Sequence, residues 1–168
     1  MKLIAIAAAS VLLMAGAAQA QQARQVGGTY GELGYTQFKF SGDGASSAKP
    51  GALRGIVGYD FHQNAAVEGM LAFGVRNDQG VKVNHAYGLY VKPKVNVADA
   101  VELFGRVGYS RVKGTGDGDS STEGGVSYGL GANFKFSPAA YVGVDYMRYF
   151  KKDGISVDGL TVGVGFRF

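Results

Sequence analysis

Apolar and polar residues alternate along most of this chain with a period of two, and the alternation comes in blocks. The last block shows it plainly. Leu160, Val162, Val164, Phe166 and Phe168 take every second position, with Thr161, Gly163, Gly165 and Arg167 between them. Successive side chains of a β-strand point to opposite faces, so such a block is a strand with one oily face and one polar or small face. Eight blocks read this way, at residues 29–40, 52–61, 66–76, 85–94, 101–112, 125–136, 140–149 and 157–168. Stretches rich in Gly, Ser, Asp and Asn separate them, as turns between strands require. The first block is the least regular: Leu33 and Tyr35 have one parity, while Tyr30, Phe38 and Phe40 have the other. A bulge near Gln37 would reconcile the two. No helical periodicity follows residue 20, so the pattern predicts an all-β chain of eight antiparallel, up-and-down strands.

The connections alternate in length. Residues 41–51, 77–84, 113–124 and 150–156 are longer and polar, whereas 62–65, 95–100 and 137–139 are shorter. Short turns at one end and longer loops at the other are the pattern of an even-stranded transmembrane β-barrel, with both termini at the short-turn, periplasmic end.

Parity alone does not say whether the oily face points inward, as in a soluble ligand-binding barrel, or outward to lipid. Three features favour lipid. The opposite face carries the acids Glu32, Asp60, Glu68, Glu102 and Asp145 and the bases Arg54, Arg76, Lys92, Lys94, Arg106, Lys135 and Arg167. Isolated buried charge is costly, so near balance of sign is what an enclosed network needs. Many glycines share that parity, among them Gly58, Gly88, Gly108, Gly129 and Gly163. They leave room for long charged side chains in a tight lumen and would only weaken a solvated face. The oily-face aromatics also sort by height. Tyr87, Tyr109, Tyr128 and Tyr146 fall near the outer rim, and Tyr59, Phe61, Phe134, Phe136, Phe166 and Phe168 near the periplasmic rim. Two aromatic girdles around an aliphatic band mark a membrane-facing surface. A strand can cross lipid only in a closed barrel, and eight strands enclose a lumen that side chains fill. The expectation is a barrel plugged by paired charges.

The start of the chain agrees with export. Lys2 precedes an apolar run that ends in Ala18-Gln19-Ala20, a small-x-small site followed by Gln21 and Gln22. This is the pattern of a signal peptide at residues 1–20, cleaved after Ala20 and exported through the Sec pathway, leaving a barrel domain at 21–168. There is no Cys, so neither a disulfide nor a thiolate metal site is available. The net charge is +4, with the bases scattered along the chain, which gives no basis for nucleic-acid binding.

With these features in place, the chain resembles the small eight-stranded outer-membrane barrels of the OmpA/OmpX-like superfamily. The resemblance rests on the leader, the strand count, the loop asymmetry, repeated segments such as Val57-Gly58-Tyr59 and Val107-Gly108-Tyr109, and the terminal aromatic. It implies a monomeric protein of the bacterial outer membrane, handled by periplasmic chaperones and the barrel-assembly machinery. Phe166 and Phe168 are similar to the C-terminal signal which that machinery recognises. The role implied is structural or surface-interactive, in envelope integrity, adhesion or stress, with a narrow porin-like channel for ions or small solutes as the alternative. Such folds host many activities.

A lipid A-modifying enzyme is a third reading. The resemblance to the deacylase or palmitoyltransferase barrels would require a His and Ser set. Only His62 and His85 are present, and neither has a Ser two residues on. The expectation is therefore no catalytic site, no cofactor and no metal. Asp117-Gly118-Asp119 lacks the repeated ligands and bidentate Glu of a calcium loop. The bases at the outer ends of strands are more suggestive. Arg111 and Arg148, with Lys113, Lys151 and Lys152 just beyond, fall where lipopolysaccharide phosphates would lie, and guanidinium groups pair well with phosphate.

Overall fold

The structure is a computed structural model that describes residues 27–41, 48–78, 80, 82–116, 119–152 and 155–168. The expected signal peptide and its cleavage site lie outside the described residues, as does Asp117. Eight strands follow one another: β1 (Thr29–Ser41), β2 (Gly51–His62), β3 (Ala65–Arg76), β4 (Lys82–Ala98), β5 (Val101–Gly116), β6 (Asp119–Lys135), β7 (Ala140–Lys152) and β8 (Ile155–Arg167). Each pairs antiparallel with the next, and β1 pairs with β8, so the sheet closes into a barrel. The closing seam runs from Tyr30 opposite Arg167 to Ser41 opposite Ser156. Closure gives every strand two partners and leaves no lateral edge within the barrel wall.

Side-chain parity follows the alternation. Val57, Leu71, Leu89, Val107, Leu130, Val144 and Val162 stand on the outside, with Leu89 74% and Leu130 75% exposed. Apolar residues that exposed, all around the wall, form a surface suited to lipid and poorly suited to water. Tyr87, Tyr109, Tyr128 and Tyr146 are on this outer surface, as are Tyr59, Phe61, Phe134, Phe136 and Phe168. Tyr35 and Phe73 join the upper set.

Two expectations need correction. β1 has no bulge near Gln37. Its register with β8 is unbroken through Gln37, and burial alternates through Tyr30, Thr36 and Phe38 inward against Leu33, Tyr35 and Gln37 outward. The mixed parity has another cause, since the aromatics Tyr30 and Phe38 are lumen residues, fully enclosed by the other strands. The polar stretches 113–124 and 150–156 are also largely strand. β5 and β6 stay paired up to Gly116 opposite Asp119, and β7 and β8 up to Lys152 opposite Ile155. A ladder is held by backbone hydrogen bonds, and beyond the lipid both of its faces can be polar, so these extensions carry no apolar alternation to betray them. β4 likewise continues past residue 94 to Ala98, with Val95 and Val97 outward.

Candidate functional site

The lumen is built in layers. Its upper part, away from the termini, is largely apolar: Phe38, Ala52, Ala72, Val83, Ala86, Val112, Met147, Tyr149 and Val157 pack together from seven strands, and buried Ser110 and Ser127 donate to the Tyr149 carbonyl beside them. Phe38 and Tyr149 meet ring to ring at 5.0 Å between centroids. Beneath this layer lies the charged one, because inward positions nearer the strand ends at the terminal side carry Glu, Asp, Arg and Lys.

Arg106 of β5 is the hub. Its Nε donates to Glu68 at 2.5 Å, one terminal nitrogen to Asp145 at 2.8 Å and the other to Glu32 at 2.6 Å. Lys92 from β4 bridges the same two glutamates, at 2.9 Å to Glu32 and 3.1 Å to Glu68. Arg54 of β2 forms a two-pronged pair with Asp145 across the barrel. A guanidinium offers donors in a planar fork, which is why arginines can join three strands where a lysine reaches fewer acceptors. Tyr30 donates to Glu68 at 2.5 Å and Tyr141 to Glu32 at 2.8 Å. A second cluster sits nearer the termini. Asp60 takes Lys94 at 2.6 Å and Arg167 at 3.0 Å, and Glu102 takes Arg167 at 3.1 Å and Asn133 at 3.0 Å. Phe104 underlies both Lys92 and Arg106, 4.4 and 4.6 Å from its ring centroid.

Most of the expected lumen residues thus come together: Glu32, Arg54, Asp60, Glu68, Lys92, Lys94, Glu102, Arg106, Asp145 and Arg167. Arg76 and Lys135 do not join them. Arg76 is exposed at the far end of β3, and Lys135 reaches Asn96 near the barrel's terminal end. Parity assigns a residue to the inside but not to a height, and both residues sit where the lumen opens. Their departure leaves five acids and five bases in the network. Among the described residues no buried side-chain nitrogen or oxygen lacks a partner. Tyr30, Phe104, Asn133 and Tyr141 were not anticipated as members. Their inward parity beside charged neighbours was the signal available.

The inward side chains pack closely, with Tyr30, Lys92, Arg106 and Tyr141 fully buried. A cavity of about 10 Å³ lies beside Arg54, Asn133 and Asp145, room for about one water. The lumen glycines explain the tightness. A methyl group on Gly163 would come within 2.5 Å of the Leu33 carbonyl oxygen and 2.7 Å of Gly34 Cα, and the rings of Tyr30, Tyr90 and Tyr141 fill the space beside Gly58, Gly88 and Gly165, so these glycines make room for the neighbouring strand and for tyrosines rather than for the long charged side chains expected.

At the outer rim the expected bases differ in their surroundings. Arg148 points outward and is paired with Asp158, its neighbour on β8, at 2.8 Å. Arg111 also points outward, beside the hydroxyls of Tyr87 and Tyr109, and among the described residues no carboxylate pairs with it. Gly124 lies opposite Arg111 and gives its side chain room. Lys113 is half-buried, Lys151 is exposed and Lys152 ends β7. The histidines are apart. His62 lies beside the β2–β3 turn, its Nδ1 accepting the Asn64 N–H at 3.1 Å, and His85 stacks against Tyr87.

No curated protein sequence matches the chain. Solved structures do. Neisserial surface protein A superposes with a TM-score of 0.67 at 17% identity, covering 83% of this chain and 97% of that one. Ail, the attachment invasion locus protein of Yersinia pestis, solved with the heparin analogue sucrose octasulfate, gives 0.64 at 22% identity over 86% of this chain and 100% of its own. The outer membrane protein OprG of Pseudomonas aeruginosa gives 0.58 at 12% identity, over 88% and 99%. These likenesses are of fold. The model of the outer membrane protein beta-barrel domain matches residues 8–168. With its closed eight-stranded barrel, apolar outer wall and charged interior, the chain belongs to the outer membrane protein β-barrel family, a family of the bacterial outer membrane.

Proposed function

We propose that this protein is a non-enzymatic, closed barrel that acts through its outer surface, in envelope structure and in contact with other surfaces. The observation that carries the reading is the filled lumen. Ten paired charges beneath a largely apolar layer support a plugged lumen, which leaves activity to the rim. The rim offers a suitable feature in the β5–β6 hairpin. The β6–β7 ladder begins only at Tyr128 opposite Arg148, whereas β5 and β6 remain paired out to Gly116 and Asp119. Above Ser127, which still bonds the Tyr149 carbonyl of β7, residues 119–124 of β6 are in a ladder with β5 alone, and a strand edge of this kind accepts an extended segment of a partner. By its name Ail is an attachment protein, so the same fold is compatible with such a role. Export by the Sec pathway and delivery to the assembly machinery through Phe166 and Phe168 belong to the same proposal.

The test replaces residues 114–121 by Asn-Gly, a two-residue hairpin turn that joins the directly paired Lys113 and Thr122. Attachment of cells to one another or to coated surfaces is expected to fall several-fold while folded protein at the surface stays constant. Unchanged attachment would contradict the rim reading.

A further inference from the structure

The outer wall is not evenly covered. Most outward positions carry Val, Leu or an aromatic, but Gly31, Gly55 and Gly69 also face outward, on β1, β2 and β3. They form the floor of an open groove of about 1100 Å³. The strand register sets its course. Gly31, Val57, Gly69, Leu89 and Tyr109 are successive cross-strand neighbours, and beside them run Gly55, Leu71, Tyr87 and Arg111. Barrel strands tilt by roughly 35–45°, so a row that crosses them climbs the wall obliquely. The groove starts near Phe166 and Phe168 at the periplasmic rim and ends under Arg111 at the outer rim.

The protein's own packing does not need these glycines. A methyl group on Gly55 or Gly69 would meet nothing closer than 4.0 or 3.9 Å, in contrast to the clash at Gly163. Glycine in a strand costs stability, and glycines at outward positions of three adjacent strands, unlike the lone Gly105, leave one continuous space that an outside occupant can fill. The upper end of the groove says what kind. Arg111 is a cation without a carboxylate partner among the described residues, flanked by the Tyr87 and Tyr109 hydroxyls. That is a guanidinium with two neutral donors, a fit for a phosphate. From Gly55 to Arg111 the row crosses three interstrand steps of about 4.8 Å, so at this tilt it rises by roughly 8–10 Å along the membrane normal and stays within the outer half of a bilayer core of about 30 Å.

We infer that this groove holds one acyl chain of a phosphorylated outer-leaflet lipid of the lipid A class, with the phosphate on Arg111 and the chain running down over Leu71 and Gly55. Arg148, neutralised by Asp158, is not part of the site.

Native mass spectrometry of the purified, folded protein with added lipid A tests this. The wild type should retain one lipid A, and the Gly55→Leu/Gly69→Leu variant, whose side chains fill the groove without a backbone clash, should lose at least about tenfold in retention. Arg111→Gln should lose several-fold toward lipid A and bind its dephosphorylated form as the wild type does. Gly105→Leu, at an outward glycine away from the groove with nothing nearer than 3.6 Å, should retain lipid like the wild type. Heat-modifiable gel mobility reports that each variant is folded. Equal retention by the folded groove-filled variant would overturn the inference. So would a wild-type dimer, lost on filling the groove, that excludes lipid, because the occupant would then be a second copy of the chain.

Discussion

Arg106 holds Glu32, Glu68 and Asp145 at once, and the energetics of the interior turn on that side chain. Removing one partner of a buried ion pair leaves charge uncompensated, which costs about 3–5 kcal/mol. Arg106→Met should therefore lower stability by about that amount, measured by urea unfolding from lipid vesicles, and a loss below about 1 kcal/mol would contradict the hub role. Tyr141→Phe removes a single donor from Glu32, which keeps Lys92 and Arg106, so the same measurement should show a loss of about 1 kcal/mol. Glycines separate by face. Gly163→Ala forces a methyl against the β1 backbone and should cost about 1–3 kcal/mol, while Gly69→Ala should stay within about 0.5 kcal/mol. Both follow from the same unfolding curves, and equal costs would contradict the close approach of β1 and β8. At this scale the sequence told inside from outside, because parity is a property of the strand itself. It did not tell how far an inward side chain stands from the mouth of the lumen, which is why Arg76 and Lys135 fell outside the network, nor that the hydroxyls of inward Tyr30 and Tyr141 would donate to its glutamates.

The elements owe their positions to register, and register reads differently in lipid and in water. Where one face must be oily, the alternation exposed each strand to within a few residues. Where the ladder leaves the lipid, as at 113–124, nothing enforces alternation, and Lys113-Gly-Thr-Gly and Ser-Ser-Thr-Glu123 look like loop while pairing as strand. The inward aromatics of β1 had the opposite effect, making a regular strand look irregular. β8 carries a further consequence. The Phe168 N–H donates to the Thr29 carbonyl at 2.9 Å, so the last residue fastens the closing seam as well as placing an aromatic at the periplasmic rim. Deleting Phe168 should cost the refolded barrel only about 1 kcal/mol, yet lower the heat-modifiable, membrane-inserted form in cells several-fold. Undiminished insertion in cells would show that Phe168 has no part in assembly.

At the scale of the whole molecule, a barrel wall that faces lipid everywhere must keep its charges inside, and an eight-stranded lumen is narrow enough to pair them all. The wall, the closure and the sign balance were legible in the sequence. The apolar layer above the charges was not, since it gathers Phe38, Val83, Tyr149 and Val157 from strands distant in the chain. On the proposed reading that layer and the ion pairs together plug the barrel, and a narrow channel is its sharpest rival. Planar-bilayer recording on the purified, refolded protein decides between them most directly. A plugged barrel gives a silent bilayer, with no discrete conductance steps at high salt. Reproducible unitary steps from the folded monomer would contradict it.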